Sequence, residues 1–152
     1  MFYLQENIMN SFTINKSVFI KAPIGNVFEA LTTSDKIIQY FPLNKVVSNW
    51  QLGSEVLYKG EIGGNDFTDY GTIKEFSVPT KYSYSYWSDN HGTKRIPENH
   101  LVISYTLTSI KNGTQLELEQ LNIKSEELFN IMNTQVWDYL LSSLKNYMET
   151  IT

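Results

Sequence analysis

The longest periodic segment of the chain is residues 125–152, which read SEELFNIMNTQVWDYLLSSLKNYMETIT. Its apolar residues recur at steps of three and four, which places them on one side of an α-helix. They are Phe129, Met132, Val136, Leu140, Leu144, Tyr147 and Ile151, and the stripe is widened by Ile131, Trp137, Leu141 and Met148. Ser125 is a good N-cap, and Glu126 and Glu127 put negative charge in the first turn, where the helix dipole favours it. A helix of about 25 residues is roughly 37 Å long, and its wide apolar face needs a broad partner.

Strands upstream of this helix supply that partner. Residues 12–21 alternate in polarity, which is typical of a half-buried first strand. Ala22-Pro23 ends this strand, and the apolar spacing of residues 24–41 predicts two short helices, the second of which ends at Pro42.

From residue 44 to residue 120 the pattern predicts six further strands, separated by turns rich in Gly, Pro and Asn. The turns are Gly53-Ser54, Gly63-Gly64-Asn65, Val78-Pro79, residues 88–99 and Asn112-Gly113. Asn112-Gly113 is the strongest of these signals and favours a two-residue type I′ hairpin. Because short hairpins make neighbouring strands antiparallel, the six strands form a meander.

The predicted fold class is α+β: a curved antiparallel sheet of about seven strands wraps around the long C-terminal helix, and two short helices follow the first strand. A chain of 152 residues has the length of one domain, which we assign to residues 11–152. Residues 1–10 fit no clear element; they are interpreted as an N-terminal extension or an alternative start at Met9, or else as an extra strand or dimer contact. We expect a pocket beside the N-terminal half of the long helix.

The composition excludes several classes of function. The chain has no Cys, which excludes disulfides, thiol nucleophiles and thiolate metal sites. Its net charge of −4 argues against nucleic-acid binding, which depends on Lys and Arg to neutralise phosphates. No segment is apolar enough to span a membrane, and the N-terminus lacks the pattern of a signal peptide. We therefore expect a cytoplasmic protein, monomeric or homodimeric, without a cofactor.

Four segments carry a resemblance to a known family. They are IKAPIGNVFEALTTSDKIIQYF, VVSNWQLGSEVLYKGE, YGTIKEFSVPTKYSYSYW and VWDYLLSSLKNYMET, which lie within residues 12–150. In order and spacing they resemble the START-like (SRPBCC) helix-grip superfamily, whose fold is birch-pollen-allergen-like. Within it the chain is similar to single-domain relatives of the activator of the heat-shock protein ninety ATPase (AHSA-like proteins).

The resemblance implies a hydrophobic cavity between the long helix and the sheet, which members of the superfamily use for lipids, sterols, plant hormones or polyketide intermediates. It brings no shared catalytic set. The last strand of relatives often ends in His, whereas this chain has Gln120 there. The eukaryotic activator has a separate N-terminal domain that engages the chaperone, and this sequence contains no counterpart of it.

Several inward-facing side chains are candidate ligand-binding residues. They are Phe41, Tyr58, Tyr82, Tyr84, Tyr105, Gln120, Asn133 and Trp137. The Tyr hydroxyls would orient a ligand by hydrogen bonding, or the rings would simply pack as core with their hydroxyls bonded to backbone or water. Asn133 is a polar residue within the apolar stripe of the helix, so it either meets the cavity or bonds the sheet. Phe41 either gates the cavity mouth or belongs to the core.

Two further groups of polar residues are weaker candidates. A metal site would combine the two histidines with neighbouring acids, namely His91, His100, Asp89 and Glu98. Their spacing matches no ligand pattern, so a solvated loop is the favoured interpretation. Asp66 and Asp69 flank a hairpin and have the composition of a carboxylate pair, although turn chemistry explains Asp66 more simply.

Three functions remain open from the sequence. The first is binding of a small apolar or amphipathic ligand. The second is a stress-related co-chaperone-like interaction module with a chaperone as partner. The third is an enzyme of the cyclase or dehydratase type, which would need a titratable group in the pocket, where the sequence predicts mostly Tyr. A binding module is therefore favoured over an enzyme.

Overall fold

The computed structural model describes residues 11–151. The predicted N-terminal extension of residues 1–10 lies outside these residues. The strands are β1 (Phe12–Ile20), β2 (Lys45–Ser48), β3 (Glu55–Ile62), β4 (Asn65–Ser77), β5 (Lys81–Ser88), β6 (Leu101–Ile110) and β7 (Gly113–Ile123). The helices are α1 (Ile24–Leu31), α2 (Ser34–Tyr40), α3 (Glu126–Ile131) and α4 (Trp137–Ile151). A π-helical segment, Met132–Val136, joins α3 to α4, and Pro97–Asn99 forms a 3-10 turn.

The seven strands form one antiparallel sheet in the order β1-β7-β6-β5-β4-β3-β2. Strands β2 to β7 form the predicted meander. Strand β1, which precedes the two short helices in the chain, pairs with β7 at the edge of the sheet. Strand β4 begins at Asn65, five residues before Tyr70, where the apolar pattern of residues 70–76 predicts that it begins. Its polar first residues pair with β3 through the register Ile62↔Asn65 and Tyr58↔Asp69, so the hairpin, and not hydrophobicity, holds them in the sheet.

The hydrophobic core lies between the concave face of the sheet and the helices. Helix α4 buries Trp137, Leu141, Leu144 and Met148, which gives the predicted stripe its partner. Opposite it are buried residues of β1 and β7, including Ile14, Ile20, Leu116 and Leu118. Each such side chain contributes about 1.5–3 kcal/mol when it leaves water. No helix within residues 11–151 is long and apolar enough to cross a membrane.

The C-terminal helix begins where predicted but is not uniform. Ser125 Oγ accepts a hydrogen bond from the backbone N–H of Leu128 at 3.1 Å, which confirms the N-cap. Helix α3 and the π-helical segment contain no fully buried residue, in contrast to α4. In the π-helical segment the N–H of Trp137 bonds the carbonyl of Met132, five residues back, so the side-chain register shifts relative to a regular α-helix.

The hairpin between β6 and β7 differs from the predicted type I′ turn. Ile110 pairs with Gly113, so the loop is Lys111-Asn112, and of these two residues only Asn112 has a positive φ, at 69°. A type I′ turn needs positive φ at both, which a Lys adopts only with strain. Gly113 is required for a different reason, because a Cβ there would lie 2.3 Å from the carbonyl oxygen of Ile20.

Candidate functional site

A cavity of about 850 Å³ lies between the sheet and the N-terminal half of the C-terminal helix. Its helical wall comes from α3, the π-helical segment and the start of α4, where Leu128, Met132, Val136 and Leu140 line it. The rest of the wall comes from α1, α2 and the inward faces of β3 to β6. The cavity therefore lies where the sequence predicted a pocket.

Exposed apolar side chains surround the mouth of the cavity. Ile62, in the β3–β4 hairpin, is 61% exposed, and Ile131 and Tyr139, on the C-terminal helix, are 40% and 59% exposed. All three line the cavity. The cavity thus opens to solvent between the hairpin and the helix, and its rim is apolar.

Five of the eight predicted site residues line the cavity. They are Phe41, Tyr58, Tyr84, Tyr105 and Trp137. Tyr58 and Tyr84 stack loosely, with ring centroids 5.2 Å apart, and the Tyr105 ring lies 6.2 Å from the Trp137 ring at a steep angle. Phe41 follows α2 and packs edge-on against Tyr40, with centroids 4.5 Å apart. The structure therefore brings these aromatic side chains to one cavity, where they form an aromatic wall.

Tyr82 and Gln120 lie behind this wall and support it. Tyr82 is 1% exposed, and its hydroxyl lies 2.7 Å from the hydroxyl of Tyr58. Gln120 is fully buried; its Oε1 accepts a hydrogen bond from Trp137 Nε1 at 2.7 Å, and its Nε2 donates to Tyr86 Oη at 2.9 Å. Since Gln120 holds Trp137 and Tyr86 in place at once, it positions two lining residues without lining the cavity itself.

Asn133 is half-buried and is not among the residues that line the cavity. It lies in the π-helical segment, whose extra residue per turn changes which side chains face the sheet. Met132, Gln135 and Val136 face the cavity from this segment instead. The placement of Asn133 at the cavity was predicted from a regular period of 3.6 residues, which does not account for the π-helical segment.

Burial keeps the tyrosine hydroxyls of the wall protonated. It raises the pKa of Tyr58, Tyr84 and Tyr86 well above the ordinary value, and the negative charge of Asp69 raises the pKa of Tyr84 and Tyr86 further. At neutral pH these side chains therefore act as hydrogen-bonding groups and not as bases.

Asp69 is the one half-buried acid among the described residues that line the cavity, and the sequence indicated it only as a possible partner of Asp66. It points inward from β4, opposite Tyr58 on β3 and Ser88 on β5. Burial raises the pKa of Asp69 to about 6; the charge of Asp89 adds to the rise, and a hydrogen bond from Ser88 opposes it. Its Oδ1 is buried without a hydrogen-bond partner.

His91 also lines the cavity and is half-buried, whereas its neighbours in the loop, residues 89–90 and 92–98, are exposed as predicted. Its ring lies 6.0 Å from the Tyr86 ring, and its Nδ1 is buried without a hydrogen-bond partner. Burial lowers the pKa of His91, so the imidazole is neutral at pH 7. His100 lies apart, with Nδ1 2.9 Å from the carbonyl oxygen of Ile96. Within residues 11–151 no three His, Cys, Asp or Glu side chains group to hold a metal.

Asp66 and Asp69 do not form a carboxylate pair. They are three residues apart on β4, so they point to opposite faces, and Asp66 is exposed. Extending the predicted strand back to residue 65 would have placed Asp69 on the inward parity of Phe67 and Ile73. The inward position of His91 could not be predicted in this way, since it lies in a loop, where side chains do not alternate between two faces.

Comparison with known proteins gives the chain its relatives. A family model described as "Activator of Hsp90 ATPase homolog 1-like protein" matches residues 21–149. The solution structure of ChR145 from Cytophaga hutchinsonii is 34% identical, covers 92% of this chain and 95% of that one, and has a TM-score of 0.79. No curated protein matches.

Two more distant structures share the fold. The Aha1 dimer from Colwellia psychrerythraea is 21% identical over 91% of this chain and 96% of that one, with a TM-score of 0.72. Ara h 8.0201 is 12% identical over 92% of this chain and 99% of that one, with a TM-score of 0.74. Both match the helix-grip arrangement of a curved sheet around a C-terminal helix.

Proposed function

Starting from the fact that this chain belongs to the family of Activator of Hsp90 ATPase homolog 1-like proteins, we propose that it binds a small hydrophobic or amphipathic ligand. The binding site is the cavity between the sheet and the C-terminal helix. We propose Phe41, Tyr58, Tyr84, Tyr105 and Trp137 as its walls. Tyr82 and Gln120 hold these walls in position, and Asn133 has no role in this proposal.

The observation that carries the proposal is the cavity itself. Its volume of about 850 Å³ lies within the range of small-molecule sites, roughly 300–1,000 Å³. Ile62, Ile131 and Tyr139 make its rim apolar, so a hydrophobic molecule meets favourable surface before it is enclosed. Polar groups on the wall are few, which is how binding sites combine affinity with a fixed ligand orientation.

The test is titration with Nile red, an uncharged dye whose fluorescence rises in apolar surroundings. We expect saturable binding by the natural chain, and about tenfold weaker binding by Val136→Trp, which fills the cavity from the π-helical segment. Ser142→Trp is the matched control, because Ser142 is an exposed residue of α4 outside the cavity. Absence of saturable binding, or equal binding by Val136→Trp, would count against the proposal.

A co-chaperone-like role is the second candidate, and family membership is the observation that favours it. It would operate in the cytoplasm, where we propose that the chain resides. Its test is the ATPase rate of the purified Hsp90 from the same cells, with and without this chain. A rate that does not change at saturating chain concentration would reject this role and leave ligand binding untouched.

A further inference from the structure

The carboxylate of Asp69 has no cationic partner in the fold. Within the part of the chain that the structure describes, the ion pairs are Lys16–Asp138, Lys36–Glu29 and Lys145–Glu149. Asp69 Oδ1 is buried and accepts no hydrogen bond. A buried carboxylate oxygen without a donor is costly, so the site is completed only when something in the cavity donates to it.

His91 provides a second unsatisfied atom at the same cavity. Its Nδ1 is buried and unpaired, and burial holds the ring in its neutral form. A neutral imidazole nitrogen without its proton accepts a hydrogen bond. A ligand group with N–H donors therefore suits both Asp69 and His91, whereas a carboxylate ligand offers a donor to neither.

The charges that line the cavity have one sign. The ionised side chains are Glu61, Asp69 and Glu127, and neither Lys nor Arg of the described residues lines the cavity. An anionic head group would meet repulsion without a compensating cation. A cationic head group would be attracted by all three carboxylates.

The aromatic wall is suited to the same charge. Tyr84 lies between Tyr58 and Tyr86, with ring centroids 5.2 Å and 5.8 Å away. The charge of Asp69 acts on Tyr84 and Tyr86, so these rings are close to its carboxylate. Aromatic rings attract ammonium groups through their electron-rich faces, most strongly where water is excluded.

We propose that the ligand is a hydrophobic amine, whose protonated nitrogen pairs with the carboxylate of Asp69 while its apolar body lies against α4 and the π-helical segment. This inference rests on the proposed ligand binding and specifies the chemical class of the ligand. Leu140, Met132 and Val136 line the part of the cavity that would hold the apolar body.

The test compares three molecules that share a ten-carbon chain and differ only in the head group. Decylamine, decan-1-ol and decanoate displace Nile red at pH 7.5, below their micelle concentrations. We expect decylamine to bind at least about tenfold more tightly than decan-1-ol, and decanoate to bind most weakly. Equal or tighter binding of the alcohol or the acid would overturn the inference while ligand binding itself stands. If Nile red binds and none of the three displaces it, the inference fails and ligand binding itself stands.

Variants locate the preference within the cavity. Asp69→Asn keeps the shape and removes the charge, so decylamine should lose about tenfold in affinity and decan-1-ol should change less than about twofold. Asp66→Asn is the matched control: it removes the same charge from the exposed face of β4 and should leave both affinities unchanged. Decylamine that still binds tightly to Val136→Trp, or a preference that survives in Asp69→Asn, would overturn the inference.

Discussion

At the scale of single residues, Asp69 determines both the chemistry of the cavity and part of the stability of the fold. Its pKa rises from the ordinary 3.8 to about 6 on folding, mainly because of burial. The folded state therefore binds this proton more tightly than the unfolded state does. The free energy of unfolding consequently falls as the pH rises from about 4 to 6, by about 3 kcal/mol for a shift of this size.

We expect Asp69→Asn to stabilise the protein above pH 6 by about 1–3 kcal/mol and to change it little near pH 4. The amide cannot ionise, so the variant avoids burying a charge beside Asp89 and the rings of Tyr84 and Tyr86. Urea unfolding at pH 4.5, 6 and 7.5 measures the difference. Because burial lowers the pKa of His91, its contribution to the free energy of unfolding falls as the pH drops below 6.5, opposite in sign to that of Asp69. This contribution is the same in both proteins and therefore cancels from the difference between them. A difference that does not vary with pH would contradict the assignment.

Residue-level prediction from sequence succeeded where parity decides burial. Tyr82, Tyr84 and Tyr86 alternate along β5 and are all buried, as the pattern indicates. Parity could not rank them by exposure to the cavity, because Tyr82 lies behind Tyr58 only through the packing of neighbouring strands. Asp69 was indicated only as a possible partner of Asp66, since a polar residue in a short polar segment has no periodic signal of its own.

At the scale of elements, the C-terminal helix has two halves with different packing. Helix α4 buries Trp137, Leu141, Leu144 and Met148 against the sheet, whereas α3 and the π-helical segment bury none of their residues completely. Helix α4, the second half of the C-terminal helix, is therefore held in place by its packing in the core. The first half borders the cavity and has less apolar burial to hold it closed.

Amide hydrogen exchange should distinguish these halves. We expect residues 126–136 to exchange at least about tenfold faster than residues 140–148, because local opening there breaks few buried contacts. Saturating Nile red should slow exchange in the first half and leave the second unchanged. Equal protection of both halves in the free protein would contradict this account of the helix.

The strands and helices were predicted from periodicity and turn chemistry, and the exceptions have identifiable causes. Strand β4 is longer than predicted because β3 pairs with its polar beginning. The β6–β7 turn lies one residue earlier than predicted, at Lys111-Asn112, and Gly113 is needed for the close approach of Ile20 and not for its φ. The π-helical segment interrupts a stretch whose apolar period predicts one regular helix, and the period does not mark it.

At the scale of the whole molecule, ligand binding and folding are linked. Any molecule that binds the folded cavity and not the unfolded chain stabilises the fold by an amount set by its concentration relative to Kd. We expect decylamine at about 100 times its Kd to add about 2.7 kcal/mol and to raise Tm by roughly 5–11 °C. Differential scanning calorimetry measures this shift.

Val136→Trp is the matched protein for this measurement, since it keeps the fold elements and lacks the space for a ligand. Its Tm should not respond to decylamine. An equal rise in both proteins would mean that the amine acts on the surface and not in the cavity.

The succession of strands along the chain, the long helix with its Ser125 cap and the aromatic character of the wall can be predicted from the amino-acid sequence alone. They follow from local rules: two- and 3.6-residue periods, capping and turn residues. The set of side chains that borders the cavity is established by tertiary packing, for example by the strand pairing that turns Asp69 inward. The physical reason is that cavity walls are assembled from residues far apart in the chain, and burial, which gives Asp69 and His91 their chemistry, does not exist before they meet.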